Sequence, residues 1–589
     1  MNIRKLTLLT VFLVFALLTV ACQPVESGEI SFDAGNLQFS GEQALAAEEA
    51  FVTQFPNRAS GMPNVEAGTT WLQEQFESYG LECTVDRWQV INYSKPVPLK
   101  NVICQLPGAS EREIVLMAHH DQSPETVYGA DNDGSGIAIL LHMAEMFAAE
   151  PTAPYTLVFL ATDGEEYGML GSRRFAEQHP NPERIIAAVS HDNLGKDLYD
   201  GLDMSPLGQY DGYGPAWLLQ ATRDSAAAAQ AAGDSSIWVP RIRAPFDQVV
   251  DQAVPISFMD QGPLVAAGVP AFGFAATKPA EFEDLHYETF HSPGDSVDLQ
   301  SAESLQASGR ASEALVRHLQ TMEEFPEARA PYLFFADSDS MISGPLLWMI
   351  FAVFVALFFI VSRLIGQRSP DGLTAGWRAA LPHFLGLWLP LVLAVLSLYV
   401  MTAAGLLQQF EGYFATQKDP AFYNPRWPAV ILFLGGLVLF LYAGRRLVGR
   451  WETKQPDFIS VKSLAFLAIG LAALYGAIFN PFSLLLTVPL FFWLLIKGRR
   501  GPAILLDILF FILGCSLLLY LLYSFGFAVL RIDWLILWYV MMMMAVPMVG
   551  FFTMSVITAI LAAGLSLVVR APAVEVVRVE APVEAAVAD

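Results

Sequence analysis

Glu165 and Glu166 close the segment YTLVFLATDGEE, in which a β-prone apolar run delivers two carboxylates to one point. One carboxylate can bind a metal while its neighbour moves a proton. Hydrolysis of an amide by metal-activated water needs that division of labour. A Glu-Glu pair alone is common on solvated helices, so its weight comes from its company. His119 lies in AHHDQ after the β run EIVLM. A neutral imidazole there can ligate a metal, and Asp121, two residues on, can orient the ring. The turn GADNDGSG, residues 129–136, carries Asp131, Asn132 and Asp133 and leads into an amphipathic helix that Ser135 can cap. Asp192 ends a strand-like run in AAVSHDNLG, and His291 precedes a Ser-Pro turn in FHSPGDSVD. Singly, these clusters read as a strand-end histidine or an Asx-rich helix start. Together, two histidines and several carboxylates form a hard, oxygen-rich set suited to a catalytic zinc site with room for two ions.

The elements that must position these groups alternate. Helical patterns cover 42–54, 69–79, 136–147, 172–178 and 304–321, and β runs cover 113–118, 155–161, 185–189 and 270–274. Alternation of this kind predicts an α/β domain with a mostly parallel central sheet flanked by helices. Several of the chemical groups fall at C-terminal strand ends, where open α/β sheets build their sites. Residues 200–250 show no clear period and read as an insertion or long loops near the site. Cys83 and Cys104 lie in two strand-like segments, LECTVDRWQV and NVICQL, and either a disulfide or two buried thiols fits them. The absence of a CxxC pair argues against a thiolate zinc site.

The net charge of −24 over 589 residues belongs mainly to the first half. An acidic domain of this kind is a poor partner for nucleic acid. Arg4 and Lys5 precede the apolar run 6–20, which reads as an export signal over residues 1–22. The stretch LTVAC resembles a bacterial lipoprotein cleavage site at Cys22, with Thr19 where Leu is usual; plain cleavage or a retained anchor is the alternative. A soluble domain is expected over 23–324 and a Pro-bearing linker over 325–342. A transmembrane helical region follows over 343–570, with a polar tail over 571–589. Apolar segments over 346–361, 381–407, 428–444, 464–479, 482–496, 503–523 and from 534 onward predict a bundle of seven or eight helices in membrane lipid. Basic clusters follow the first, third and fifth segments. By the positive-inside rule those loops are cytoplasmic and the soluble domain lies outside the cytoplasmic membrane of a bacterium. His383 and Asp507 are ionisable groups near span ends, and an interfacial position accounts for both.

In order and local form these residues resemble the zinc aminopeptidase family, metallopeptidase family 28, which includes leucyl aminopeptidases, glutamate carboxypeptidase and glutaminyl cyclase. The matching pieces are His119-x-Asp121, GADNDGSG, Glu165–Glu166 with LGS following, Asp192 and the His-Ser-Pro of His291. MDQGPLVAAGVPAF, with Asp260, is a further partial match. The resemblance covers almost the whole soluble domain and leaves the membrane part unexplained. It implies that His119 and Asp192 hold one zinc and that Glu166 and His291 hold the other. A carboxylate of the turn bridges the two. Glu165 is the general base acting on a peptide substrate, and Asp121 orients His119. The family turn places its bridging Asp at the position of Asn132. A slip of one residue would make Asp131 the bridge, which is the preferred reading; Asn132 and Asp133 are the alternatives. A neutral Asn132 would favour one zinc over two. The expected activity is that of an exopeptidase, foremost an aminopeptidase. A single-zinc glutaminyl cyclase-like acyltransferase and an inactive receptor or scaffold ectodomain are the competing readings.

Overall fold

The structure is a computed structural model that describes residues 22–92, 95–253, 255–326, 332–335, 339–342, 344–407, 425–448, 455–496 and 550–568, with three isolated positions near 540. Residues 1–21 of the expected export signal, the apolar segment 503–523 with Asp507 and Cys515, and the polar tail lie outside the described residues.

Seven strands form the main sheet: β1 (Glu82–Asn92), β2 (Lys95–Leu106), β3 (Ser110–His119), β4 (Tyr155–Thr162), β5 (Ile185–Asp192), β6 (Gly201–Ser205) and β7 (Ala271–Thr277). Their spatial order is β1-β2-β4-β3-β5-β7-β6. The centre is parallel, since β3 pairs in parallel with β4 and β5, and β5 with β7. The edges are antiparallel, so the sheet is mixed. β3, β4 and β5 are near-continuous apolar runs because helices cover both their faces. Cys83 and Cys104 face each other across the β1–β2 pair and are joined by a disulfide.

The helices of this domain are α1 (Gly41–Gln54), α2 (Pro63–Ser78), α3 (Ser135–Ala148), α4 (Leu170–Gln178), α5 (Ala216–Ala231), α6 (Pro245–Ala253), α7 (Gln261–Ala266), α8 (Glu283–Thr289) and α9 (Ala302–Thr321). α3 is apolar nearly all round, and eleven of its residues are buried between α1, α9 and the sheet. The 200–250 segment is not a set of loops. It contains edge strand β6 and the whole of α5, whose Leu218, Ala221, Ala226 and Ala229 are fully buried against α9. Its alanine-rich face has strong helix propensity but little large-residue period to betray it.

The expected linker is also partly structured. Residues 333–335 and 340–342 form a small antiparallel sheet with 22–24. Beyond it lie α10 (Gly344–Gly366), α11 (Leu373–Ala403), α12 (Trp427–Val448) and α13 (Phe458–Phe479). Among the described residues these four are long and apolar enough to cross a membrane. Shorter apolar helices follow, α14 (Val488–Ile496) and α15 (Phe551–Val568). His383 on α11 places its Nε2 3.1 Å from the carbonyl oxygen of Ser566.

Candidate metal centre

Strand register gathers the site. His119 ends β3 directly opposite Thr162, the last residue of β4, so the loop that follows β4 carries Glu165 and Glu166 past the imidazole. Asp192 ends β5, the other neighbour of β3. The third contribution is the turn 130–134, which hydrogen bonds pack into the C-terminal edge of the sheet. The backbone N–H of His119 donates to Asp133 Oδ2 at 3.1 Å, and that of Gly136 donates to Oδ1 at 2.9 Å. A Cβ on Gly136 would stand 2.5 Å from the Asp133 carboxylate and 2.6 Å from the His191 carbonyl oxygen, so only glycine lets α3 start this close.

The centre of the cluster is Asn132. Its Oδ1 lies 2.9 Å from His119 Nε2. Its Nδ2 donates to Glu166 Oε1 at 2.9 Å and faces His291 Nε2 at 2.8 Å. A carboxylate can only accept, so Glu166 fixes which end of the amide points where. His291 Nε2 and Glu166 Oε1 are 3.0 Å apart. Phe290 stacks on the His291 ring with centroids 3.8 Å apart, and His291 adopts φ 46°, a left-handed conformation uncommon for a residue with a side chain. Glu165 Oε2 lies 3.8 Å from His119 Nε2.

Asp131, the expected bridge, is placed differently from Asn132. Its carboxylate turns away from the cluster, accepting from the Gly195 N–H at 3.0 Å and from the Tyr199 hydroxyl, with the buried Lys196 ammonium 3.2 Å away. Every oxygen of Asp131 is engaged on the far side of the turn, so it stands behind the position that Asn132 occupies. Asp133 points both oxygens at backbone N–H groups, yet one remains close enough to His119 and Asp192 to share a cation with them.

Several residues that position the site went unnoticed in the sequence. Asp295 accepts from the N–H groups of Asp131 and Asn132, at 2.9 and 3.2 Å, and so aims the turn. Its signal was the PGD turn just after His291. Lys196 and Tyr199 follow Asp192 but share no recognisable spacing with it. Asp121 does stand beside His119, with Oδ1 3.4 Å from Nδ1, while Ser60 donates to its other oxygen at 3.0 Å. Ser60 Oγ also lies 2.6 Å from Asp163, whose carboxyl burial and the Asp121 charge push up to about 8.

The electrostatics of the cluster suit a bound cation. Burial drives Glu165 well above the ordinary glutamate range, with Asp192 and Glu166 adding to it and His119 opposing. Burial raises Asp192 to about 7, again against the pull of His119. Burial disfavours the charged His119 ring, but Glu165, Asp121 and Asp133 outweigh it and leave the imidazole well above its usual value. Carboxylates are therefore crowded beyond what the local cations neutralise, which is the situation a bound metal relieves. The donor atoms fit one. His119, Asp133 and Asp192 offer ligand atoms within 4.8 Å of one another, and so do His119, Glu165 and Glu166. The buried Nδ1 of His291 meets no hydrogen-bond partner among the described residues. Imidazole and carboxylate donors without thiolates suit a catalytic zinc.

An α/β sheet whose C-terminal edge presents two imidazoles, a carboxylate pair and a buried acidic turn offers the donor set that metal-dependent hydrolysis requires. Residues 101–316 match the family model described as Peptidase family M28. The alkaline phosphatase isozyme conversion protein of Escherichia coli (strain K12) is 25% identical over 185 residues, 27% of this chain and 53% of that protein. Leucine aminopeptidase 1 of Ajellomyces capsulatus (strain H88) is 27% identical over 160 residues, 25% of this chain and 42% of that protein. The chain thus spans about half, or less, of the length of these relatives. Among solved structures, a zinc aminopeptidase from Bacillus subtilis is 15% identical with a TM-score of 0.39, covering 48% of this chain and 95% of that one. Porphyromonas gingivalis glutaminyl cyclase is 20% identical with a TM-score of 0.39, covering 49% of this chain and 99% of that one.

Proposed function

We propose that the chain is a membrane-anchored, zinc-dependent exopeptidase, an aminopeptidase acting on peptides outside the cytoplasmic membrane, with residues 23–324 as the peptidase domain. The observation that carries this reading is the split between the paired glutamates. Glu166 is tied to Asn132 and His291, whereas Glu165 hangs free of hydrogen bonds to them and faces His119 at 3.8 Å. Glu166 is thus held as a ligand, and Glu165 is left to move a proton. Its raised affinity for that proton, caused chiefly by burial, suits a group that takes one from water and hands it to the departing amine.

His119 and Asp192 would hold one zinc, with Asp133 beside them, and Glu166 and His291 would hold a second. Zinc bound there would polarise the scissile carbonyl and acidify water. Asn132 makes the two positions unequal. An amide has one oxygen, and it faces His119; the end that faces Glu166 and His291 is a donor. One ion is held more tightly than the other.

Asn132 also favours a second reading, a single-zinc acyltransferase that cyclises N-terminal glutamine. Both readings are tested on the full chain in detergent with aminoacyl, dipeptide and glutaminyl-peptide substrates, alongside Glu165→Gln. An aminopeptidase releases free amino acids and loses that activity in the variant. Cyclised product without release supports the second reading, and activity that survives Glu165→Gln refutes both.

A further inference from the structure

α6 has its polarity inverted. In a helix on a water-soluble surface, glutamine and aspartate face out and apolar side chains face in. Here Gln248, Asp251 and Gln252 are buried, while Phe246 is 66% exposed. The buried glutamines bond the small sheet that leads into the first long apolar helix. Gln248 Nε2 donates to the Phe334 carbonyl oxygen at 2.8 Å, the Phe334 N–H donates back to Gln248 Oε1 at 2.9 Å, and Gln252 Nε2 donates to the Tyr332 carbonyl oxygen at 2.7 Å.

The outward, apolar side of α6 is continuous with the helical bundle. Ala253 belongs to the apolar cluster built by α10, α11 and α13, and Val249 packs against it. Asn480, which caps the C-terminus of α13, donates from Nδ2 to the Gln252 carbonyl oxygen at 2.7 Å. The end of α6 therefore lies level with the end of a long apolar helix, where a bilayer surface would be. Phe258, 52% exposed, follows a few residues later in the irregular segment that leads to Asp260 beside the metal cluster. Arg243, just before α6, pairs with Asp251 at 3.3 Å and leaves its side chain 42% exposed.

We propose that Phe246 and Phe258 are seated in the interfacial layer of the bilayer. α6 then lies on the membrane surface and holds the 255–260 segment, and with it one wall of the metal site, at lipid level. Aromatic rings favour that layer, and a nearby guanidinium can meet lipid phosphates. The inference rests on the reading that α10–α13 span a membrane.

The test is spin-label accessibility of the full chain in phospholipid nanodiscs, in a background with Cys22 and Cys515 replaced by serine. Labels go at Phe246→Cys and Phe258→Cys, at Met62→Cys as a domain-surface control, and at Leu439→Cys, 60% exposed on α12, as a span control. Phe246 and Phe258 should show an oxygen-to-nickel-chelate collision ratio several-fold above Met62, approaching Leu439. If they match Met62 while Leu439 reads as lipid, the seat is refuted and the spanning reading stands. If Leu439 itself reads as water, the spanning reading fails.

Discussion

Replacing Asn132 by aspartate tests the unequal metal site directly. The amide nitrogen lies 2.9 Å from Glu166 Oε1, and in Asn132→Asp a carboxylate oxygen takes its place. Two unit charges about 3 Å apart repel by about 5 kcal/mol at an effective dielectric constant near 20. Protonation caps that cost, because at pH 7 a carboxyl of ordinary pKa takes up a proton for about 4 kcal/mol. The zinc-stripped variant should therefore lose about 3–4 kcal/mol against wild type, about 10 °C in melting temperature. Zinc offsets most of that loss, since an anionic oxygen then faces both positions. At zinc concentrations of about 100 Kd, each filled site returns about 2.7 kcal/mol. A variant that fills two sites where wild type fills one should show roughly twice the zinc-induced rise in melting temperature. The assay is thermal melting of the full chain in detergent across a zinc titration, with metal content measured on the same samples. If the stripped variant melts with wild type, or the two bind the same amount of zinc throughout, the assignment of Asn132 to the centre of the site is wrong.

Glu165→Gln should lower kcat by roughly 10²–10⁴-fold while leaving zinc content unchanged, because it removes the proton carrier and not a ligand; activity assays and metal analysis on one preparation separate the two. Asp251 on α6 is raised to about 6, chiefly by burial and against the pull of Arg243. A folded-state value above the unfolded one stabilises below the unfolded pKa of about 3.9, and that contribution is lost as pH rises through the folded value. Wild type should thus shed up to about 3 kcal/mol between about pH 4 and pH 8 at this group, and Asp251→Asn should melt with a flatter pH profile. The Cys83–Cys104 bridge closes a loop with a sequence separation of 21. Its removal by paired serine substitutions should cost about 3 kcal/mol, read as a lower denaturation midpoint with the fold retained.

Strand ends were legible in the sequence, and the turn was not. His119 and Asp192 end, and Glu165 and Glu166 closely follow, short apolar runs that read as buried strands, so the end of the run fixes where the side chain emerges. The turn offers three consecutive polar residues, and periodicity does not say which one faces the metal. That choice is made by backbone angles, with Asn132 at φ −115° and ψ 90°, and by partners far along the chain. Gly195, Lys196 and Tyr199 claim the Asp131 carboxylate, and Asp295 claims two backbone N–H groups. α6 escaped for a different reason. Its pattern is amphipathic, but the sense of its polarity depends on whether water or lipid lies outside, which becomes clear only once Asn480 and Ala253 place it against the bundle.

The same partners bear on whether Asn132 marks a decayed site. Asp133, Glu166, Asp192 and Asp260 are all at most 5% exposed and share one edge of the sheet. Buried carboxylates without matching cations cost several kcal/mol, and replacement of one by a neutral or apolar residue is often stabilising. A domain kept only as a scaffold has no use for that cost and would be relieved by losing the acids one after another. In this chain the neutral residue falls between Glu166 and His119, while the acids on either side of it remain. The Asp131–Lys196–Tyr199 contacts and the two N–H groups held by Asp295 still aim the turn at the cluster. An arrangement that retains its repulsion and its alignment but sheds one central charge fits a site tuned to hold less metal charge, and fits poorly a site that holds none.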